Sequence, residues 1–195
     1  MAYLTTSIVK SDWLRIDSAD TSMDALIGRM IAAAEDEIEN LLNQPVEQQS
    51  IAIYWDGLGE TEHALLYTVP VTSTTLKYRE DPTIAWTTVD AADYAVRARH
   101  FGKSLWYKNG FTPYVEYEYT ASVGYAAGTI PADILVAGYE LVKELYYETP
   151  YAGQSERFGV SAVTEGQGGT TFSKAIARMR PYLIEKLAPY RLQVI

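Results

Sequence analysis

The sequence predicts an α+β fold that is mainly helical: a helical bundle with an inserted small antiparallel β-sheet and an extended C-terminal arm. Apolar residues recur at helical spacing from Met23 to Leu42. A second long helix opens at Pro131, and between the two helices short segments alternate with a period of two. Helices at both ends and strands between them indicate this fold class.

The first two helices are predicted from apolar spacing and from helix stop signals. A short helix covers Ser7 to Leu14, and a long one runs from about Met23 to Asn43. Gln44-Pro45 ends the long helix, because a residue before proline avoids the helical conformation. We interpret the carboxylates on its opposite face as solvated. These are Glu35, Asp36, Glu37 and Glu39.

Short strands are predicted across the middle of the chain. Ile51, Ile53 and Trp55 alternate with smaller or more polar neighbours, and the segment 115–119 alternates tyrosine with glutamate. Further strands are expected at 63–67, 75–79, 84–88, 93–98 and 104–108.

The C-terminal part is predicted to hold two helices, a loop and an arm. In the helix at 131–149, Gly138 indicates a close crossing with another helix, since glycine costs about 1 kcal/mol relative to alanine there. The glycine-rich segment 151–171 reads as a flexible loop. The next helix starts at Phe172 and should kink or break at Pro181. The predicted domains are a core at 1–150, the loop at 151–171, and the C-terminal helix and arm at 172–195.

Composition excludes several functional classes. The net charge is −9 and no basic patch is present, which argues against a DNA-binding protein. The chain has no cysteine, so disulfides and thiolate metal sites are excluded. No apolar run approaches the ~18 residues of a membrane span. The start of the chain lacks the pattern of a secretion signal, so synthesis in the cytoplasm is expected.

No motif supports catalysis, so we expect no enzyme activity, no cofactor and no metal. The GKS at 102–104 lacks the spacing of a phosphate-binding loop and precedes a strand rather than a helix. The GQGG at 166–169 is typical of a flexible loop. His63 and His100 have no ligand spacing. Glu116 and Glu118 face the same side of a strand, but no nucleophile accompanies them.

The order of several motifs resembles one family. The opening IVKSDWLRID, followed by DALIGRMIAAAEDEIENLLNQPV, is similar to that of the head-tail connector (adaptor, or head-completion) proteins of tailed phages. The strand VPVTSTTLKY, the joint YEYTASVGY with its Ile-Pro-opened helix, and the closing LAPYR continue the resemblance. It covers most of the chain, which departs from the pattern at 151–171 and around 56–64.

The resemblance implies a structural virion protein, made in the bacterial host cytoplasm and located in the neck. It implies a ring of twelve copies that docks under the portal protein, extends the DNA channel without specific DNA binding, and offers a platform for a stopper or tail-completion protein. Two alternatives stay open: another neck or tail-completion ring protein, and an uncharacterised enzyme.

Two sets of residues are predicted to serve assembly. The C-terminal arm should be an extended strand that attaches to the portal or to a neighbouring subunit by adding to a sheet edge. Its candidate residues are Pro189, Tyr190, Arg191, Leu192 and Val194. The alternative is a strand folded back on the protein's own sheet. Acidic residues of the long helix should line or flank the channel. These are Glu35, Asp36 and Glu39.

Overall fold

The computed structural model describes residues 3–65, 67–99, 102–149 and 168–192, with side chains of the last segment described from residue 176. The chain divides into two compact units. The helical unit contains the described parts of 1–42 and 130–189, and the sheet unit contains those of 43–129 and 190–195.

The described part of the helical unit has four α-helices. They are α1 (Thr6–Ile8), α2 (Asp24–Leu42), α3 (Ala132–Tyr147) and α4 (Gly168–Lys186). A π-helical turn, Val9–Leu14, continues α1 and ends at Arg15, whose φ of 54° is left-handed. Thus α1 with this turn occupies the predicted first helix, and α2 ends one residue before its predicted limit, where Asn43 adopts a φ of 55°.

The core of the helical unit lies along the apolar faces of α2 and α3. Ile27, Met30 and Ile38 of α2 are fully buried, as are Ile134 and Leu141 of α3. Burial of such side chains stabilises the folded state by roughly 1.5–3 kcal/mol each. The predicted periodicity of both helices is therefore the periodicity of their buried faces.

Gly138 lies at a close approach, as the sequence predicted. A Cβ atom there would stand 2.8 and 2.9 Å from the two methyl carbons of Leu4, and 3.3 Å from Cδ1 of Ile38 in α2. The Leu4 backbone N–H in turn donates to Glu35 Oε1 at 2.7 Å. The absence of a side chain at Gly138 thus makes room for both the N-terminal segment and α2.

Among its described residues, the sheet unit contains seven strands in two antiparallel sheets. The strands are β1 (Gln49–Asp56), β2 (Glu62–Ala64), β3 (Val71–Arg79), β4 (Thr87–Thr88), β5 (Tyr94–Arg99), β6 (Gly102–Tyr107) and β7 (Glu116–Val123). The four-stranded sheet has the order β1-β7-β3-β4, and the three-stranded sheet has the order β2-β6-β5. Gly102–Ser104 starts β6 in the β5–β6 hairpin, which agrees with its interpretation as hairpin rather than phosphate site.

The core of the sheet unit is rich in aromatic rings. Trp55 stacks on His63 with ring centroids 4.2 Å apart and on Tyr117 at 5.6 Å, and Phe111 meets Tyr117 edge-on at 5.0 Å. Tyr119 is fully buried in the same cluster. Several of the sixteen tyrosines therefore serve the core.

The α+β class is confirmed, but a mainly helical bundle is not. Helices hold 38% and strands 27% of the residues. The strands form a unit with its own core, because their aromatic faces bury against each other. Helix α4 also starts at Gly168 rather than at Phe172, and it continues through the exposed Pro181 as one element.

The C-terminal strand prediction is wrong where the structure describes it. Residues Ala188–Tyr190 form a 3-10 helix, and neither Arg191 nor Leu192 belongs to a strand. The alternation of apolar and polar residues that predicted the strand is short, so local turn formation after Pro189 overrides it. Val194 and the segment 151–167, which contains most of the predicted loop, lie outside the described residues.

Candidate interaction surfaces

The beginning of the C-terminal arm is fastened to the sheet unit by one buried amide. Gln44, only 5% exposed, donates from Nε2 to the Tyr190 carbonyl at 2.5 Å and to the Thr68 hydroxyl. Its Oε1 accepts the backbone N–H groups of Thr68 at 2.9 Å and Val69 at 3.3 Å. The Thr68 hydroxyl donates to the same Tyr190 carbonyl at 3.0 Å.

This arrangement divides the predicted arm residues into those held by the fold and those that follow them. Tyr190 is a structural part of the sheet unit, and Pro189 precedes it within the 3-10 helix. Arg191 is exposed and Leu192 is half-buried. An attaching segment can therefore begin only after Tyr190.

The acidic residues of α2 have different environments. Asp36 is exposed, whereas Glu35 and Glu39 are half-buried near Tyr3. Burial raises the pKa of the Tyr3 hydroxyl well above its usual value, and the charges of Glu35, Glu39 and Asp36 raise this pKa further. Among these three carboxylates, that of Asp36 is the most accessible from solvent.

Glu37 corrects the interpretation of this helix face as solvated. It is buried, and its Oε1 pairs with Nε of Arg180 from α4 at 3.0 Å. The partner lies 143 residues away in sequence, so helical periodicity alone could not reveal it. Burying a carboxylate requires such a partner, because an isolated charge is costly away from water.

A third surface lies where three loops meet at one end of the four-stranded sheet, and sequence reasoning missed it. In the strand register, Asp56 at the end of β1 and Arg79 at the end of β3 both lie opposite Glu116 at the start of β7, one on each side of that strand. The loops at 57–61, 80–86 and 108–115 therefore share this end, which we call the loop-end surface.

Large apolar side chains project from the loop-end surface into solvent. Tyr114 is 92% exposed, Leu58 is 82% exposed and Ile84 is 53% exposed. Isolated exposed apolar residues are ordinary. Three large exposed apolar residues on loops at the same end of a sheet are typical of a binding site.

Backbone contacts fix two of these loops to each other. The Gly57 N–H donates to the Val115 carbonyl at 2.9 Å, and the Tyr114 N–H donates to the Gly57 carbonyl at 3.1 Å. A Cβ at Gly57 would stand 2.2 Å from the Thr112 carbonyl oxygen. Only glycine fits there, so this contact orients Leu58 and Tyr114 together.

The third loop is held on the outer face of the sheet by Trp86. Its ring lies 6.3 Å from that of Tyr54 in β1, and the guanidinium carbon of Arg79 lies 4.5 Å from its centroid. Arg79 Nε also pairs with Glu116 at 2.6 Å. These contacts bind the loop that carries Ile84 to strands β1, β3 and β7.

The described residues contain no site suited to catalysis by metal ions. No three histidine or acidic side chains among them are grouped closely enough to hold an ion. His63 packs against Trp55, and burial lowers its pKa; His100 lies outside the described residues. None of the described helices combines the length and apolar character of a membrane span.

Solved particle structures contain chains with this fold. One is described as the neck of an empty GTA particle computed with C6 symmetry; it has a TM-score of 0.62 and 18% identity, covering 100% of this chain and 93% of that one. Another, from the virion of a native gene transfer agent (GTA) particle, has a TM-score of 0.56 and 17% identity, with 89% of each chain covered. The neck of a native GTA particle computed with C12 symmetry gives 0.51 and 20%, covering 97% and 91%.

Sequence comparison assigns the family. No curated protein matches the chain. The family model described as "Head completion protein" matches residues 4–181, nearly all of the helical and sheet units. This match confirms the resemblance drawn from the ordered motifs, and with it the expectation of a structural rather than an enzymatic protein. The chain belongs to the head completion protein family.

Proposed function

We propose that this protein is a structural component of the neck of a tailed phage or phage-like particle. Copies of the chain, twelve in number, form a ring beneath the portal protein, extend the DNA channel and present a platform to a stopper or tail-completion protein. The observation that carries the proposal is the family match over residues 4–181. The fold shared with chains from GTA necks, computed with C6 and C12 symmetry, supports a ring.

A ring needs head-to-tail contacts, in which one patch of each copy meets a different patch of the next. The exposed aromatic residues of the helical unit supply surface for such contacts. Tyr182 in α4 and Tyr147 in α3 are each about two-fifths exposed in the helical unit, at 41% and 40%.

The DNA channel is proposed from charge. A net charge of −9 opposes adsorption of the phosphate backbone, so DNA can pass without being held. We assign Asp36, with Glu35 and Glu39 beside it, to the wall or rim of the channel. In a gel-shift assay near physiological salt, the wild-type protein should leave duplex DNA free, and salt-sensitive retention would contradict the assignment.

Attachment to the portal is assigned to the C-terminal residues after Tyr190. Arg191 and Leu192 begin this segment, Val194 continues it, and Pro189 with Tyr190 supplies its fixed base. The 3-10 helix at Ala188–Tyr190 and the Gln44 contact give that base a defined position. The segment is proposed to add to an open sheet edge of the portal or of a neighbouring copy.

Reconstitution tests the proposal as a whole. Purified protein is added to DNA-filled heads that carry a portal but lack this protein, and the necks are imaged by cryo-electron microscopy. We expect a twelvefold ring coaxial with the portal. A variant ending at Tyr190 should keep its fold, because the contact between Gln44 and Tyr190 is retained, and should fail to dock.

Two results would oppose the proposal. Normal docking of the shortened variant would remove the C-terminal segment from the mechanism. A ring separated from the portal by another protein would favour the second candidate, another neck or tail-completion ring protein.

A further inference from the structure

We propose that the loop-end surface is a docking site for a second virion protein, and that it recognises an apolar side chain ringed by lysines and arginines. The inference rests on the proposed function, since it names the chemistry of a partner in the neck. It assigns that partner to a surface distinct from the C-terminal segment.

The apolar centre of the site consists of side chains that are exposed to solvent and are not packed in the core. Leu58 and Tyr114 are among the most exposed large apolar residues described, and their loops are joined through Gly57. Removing apolar area from water is worth roughly 25 cal/mol per Å². Two large exposed anchors at the centre of a patch are therefore the kind of residues that dominate binding.

The conformation of Tyr114 adds a second observation. Its φ of 64° is left-handed, a conformation that costs a residue other than glycine about 1 kcal/mol. The loop holds it there through the Gly57 carbonyl while its ring contacts solvent. Such strain is retained where the surrounding structure imposes it, and it clusters at functional positions.

The rigidity of the loops favours binding of a preformed surface. The Thr112 N–H donates to the Tyr117 hydroxyl at 2.9 Å, which ties the Tyr114 loop to the aromatic core. The Leu58 N–H donates to the Glu60 carboxylate at 2.7 Å. Because the anchors are already oriented, a partner does not have to order them on binding.

Charge identifies the partner's chemistry. Six carboxylates stand on the three loops or directly beside them. Glu62 and Glu116 are paired with arginines. The other four are those of Asp56, Glu60, Glu80 and Asp81. The only basic residues there are Arg79, paired with Glu116, and Lys108, paired with Asp93 at 3.1 Å. The rim is therefore acidic, which repels DNA and anionic lipid and attracts a basic protein surface.

A second copy of this chain fits the site less well. The arginines of β5, Arg97 and Arg99, both pair with Glu62, and Arg97 also lies over the Trp106 ring at 4.2 Å. Lys77 pairs with Glu118 at 2.9 Å. These cations of the sheet unit are neutralised locally, so they offer little positive charge to the acidic rim of another copy, and the proposal therefore names a different protein as the partner.

Site-specific cross-linking tests the partner. The chain has no cysteine, so Leu58→Cys introduces a single thiol that can carry a benzophenone. Gln49→Cys, on an exposed residue at the opposite end of β1, is the matched control. The labelled proteins are incorporated into heads, the tails are attached, and the particles are irradiated and mapped by mass spectrometry.

We expect the Leu58 label to join a different virion protein at a segment of net positive charge, while the Gln49 label does not reach that segment. Cross-linking to another copy of this chain, to DNA or to an acidic segment would overturn the inference. So would completed particles without a cross-link at Leu58. Failure of the wild-type protein to enter heads would instead refute the proposed neck function, and the inference with it.

A second measurement uses surface variants that leave the core intact. Leu58→Ser with Tyr114→Ser should keep the wild-type melting temperature and ring formation but lower the yield of tailed particles about tenfold or more, as loss of a central hot spot does. Glu80→Lys should weaken attachment and reduce its dependence on salt. Wild-type yields from both variants would refute the docking site.

Discussion

Replacing Gln44 by leucine tests whether the start of the C-terminal segment is built into the sheet unit. The two side chains are similar in size, so the buried site stays filled. What is lost is a set of hydrogen bonds that joins three backbone positions: the N–H groups of Thr68 and Val69 and the carbonyl of Tyr190.

The expected cost follows from the fate of each group. The Val69 N–H belongs to a buried residue and loses its acceptor, which costs about 1–3 kcal/mol. Thr68 is exposed, so its N–H regains water at small cost. The Tyr190 carbonyl keeps the Thr68 hydroxyl as a donor. The apolar character of leucine offsets part of the loss, so a net destabilisation of about 2 kcal/mol is expected.

Urea unfolding and amide hydrogen exchange measure the effect. Gln48→Leu is the control, since Gln48 is exposed and lies four residues after Gln44, directly before β1. This control substitution should change the free energy of unfolding by less than about 0.5 kcal/mol. In the Gln44 variant, the Val69 amide should exchange faster. Equal stability of the two variants, with unchanged exchange at Val69, would refute the role given to Gln44.

Two further predictions concern each unit separately. The pKa of His63 is lowered by burial, so the unfolded chain binds the imidazole proton more readily than the folded protein does. The contribution of His63 to stability is therefore fully present above the unfolded pKa of about 6.5, and it falls as the pH drops through that value. His63→Gln should flatten this part of the curve of unfolding free energy against pH. An unaltered slope in the variant would show that other groups cause it. In the helical unit, Gly138→Leu should destabilise by about 1–3 kcal/mol through overpacking against Leu4, whereas Gly28→Leu, where nothing lies within 4 Å of the added Cβ, should stabilise by up to about 1 kcal/mol. Thermal melts that rank the two leucine variants in the opposite order would contradict the packing described.

The sequence predicted those elements in which local pattern and tertiary burial agree. The apolar spacing of α2 and α3 and the alternation in β7 each place one face of an element in a core. Gly138 was informative because a glycine in a helix interior is unfavourable unless something needs the space. Such signals are local, and a single sequence contains them.

Contacts between residues of different elements were not predictable in this way. Glu37 looked like part of a solvated face because its partner Arg180 lies in another helix. Lys10 is almost fully buried, and its ammonium donates to the carbonyls of Ser18 and Asp20 and pairs with Asp24 at 2.8 Å. Both residues carry charges that periodicity assigns to the surface, and only the fold supplies their compensation.

The loop-end surface was missed because its exposed apolar residues follow no periodic pattern in the sequence. Leu58 stands alone between two glycines, and Tyr114 follows a proline, so neither belongs to a periodic pattern. The register of β1, β3 and β7 brings the loops to one end, and exposure then distinguishes these two side chains from the buried rings of Phe111 and Tyr117.

The two uses of aromatic residues in the sheet unit depend on each other. Trp55, Phe111 and Tyr117 fill the core, and the Tyr117 hydroxyl reaches the Thr112 N–H in the loop that carries Tyr114. A tyrosine suits this position because its ring can be buried while its polar end holds a backbone group. Phenylalanine at 117 would keep the core and release the loop. In the sheet unit, therefore, a buried tyrosine positions the loop that carries an exposed one.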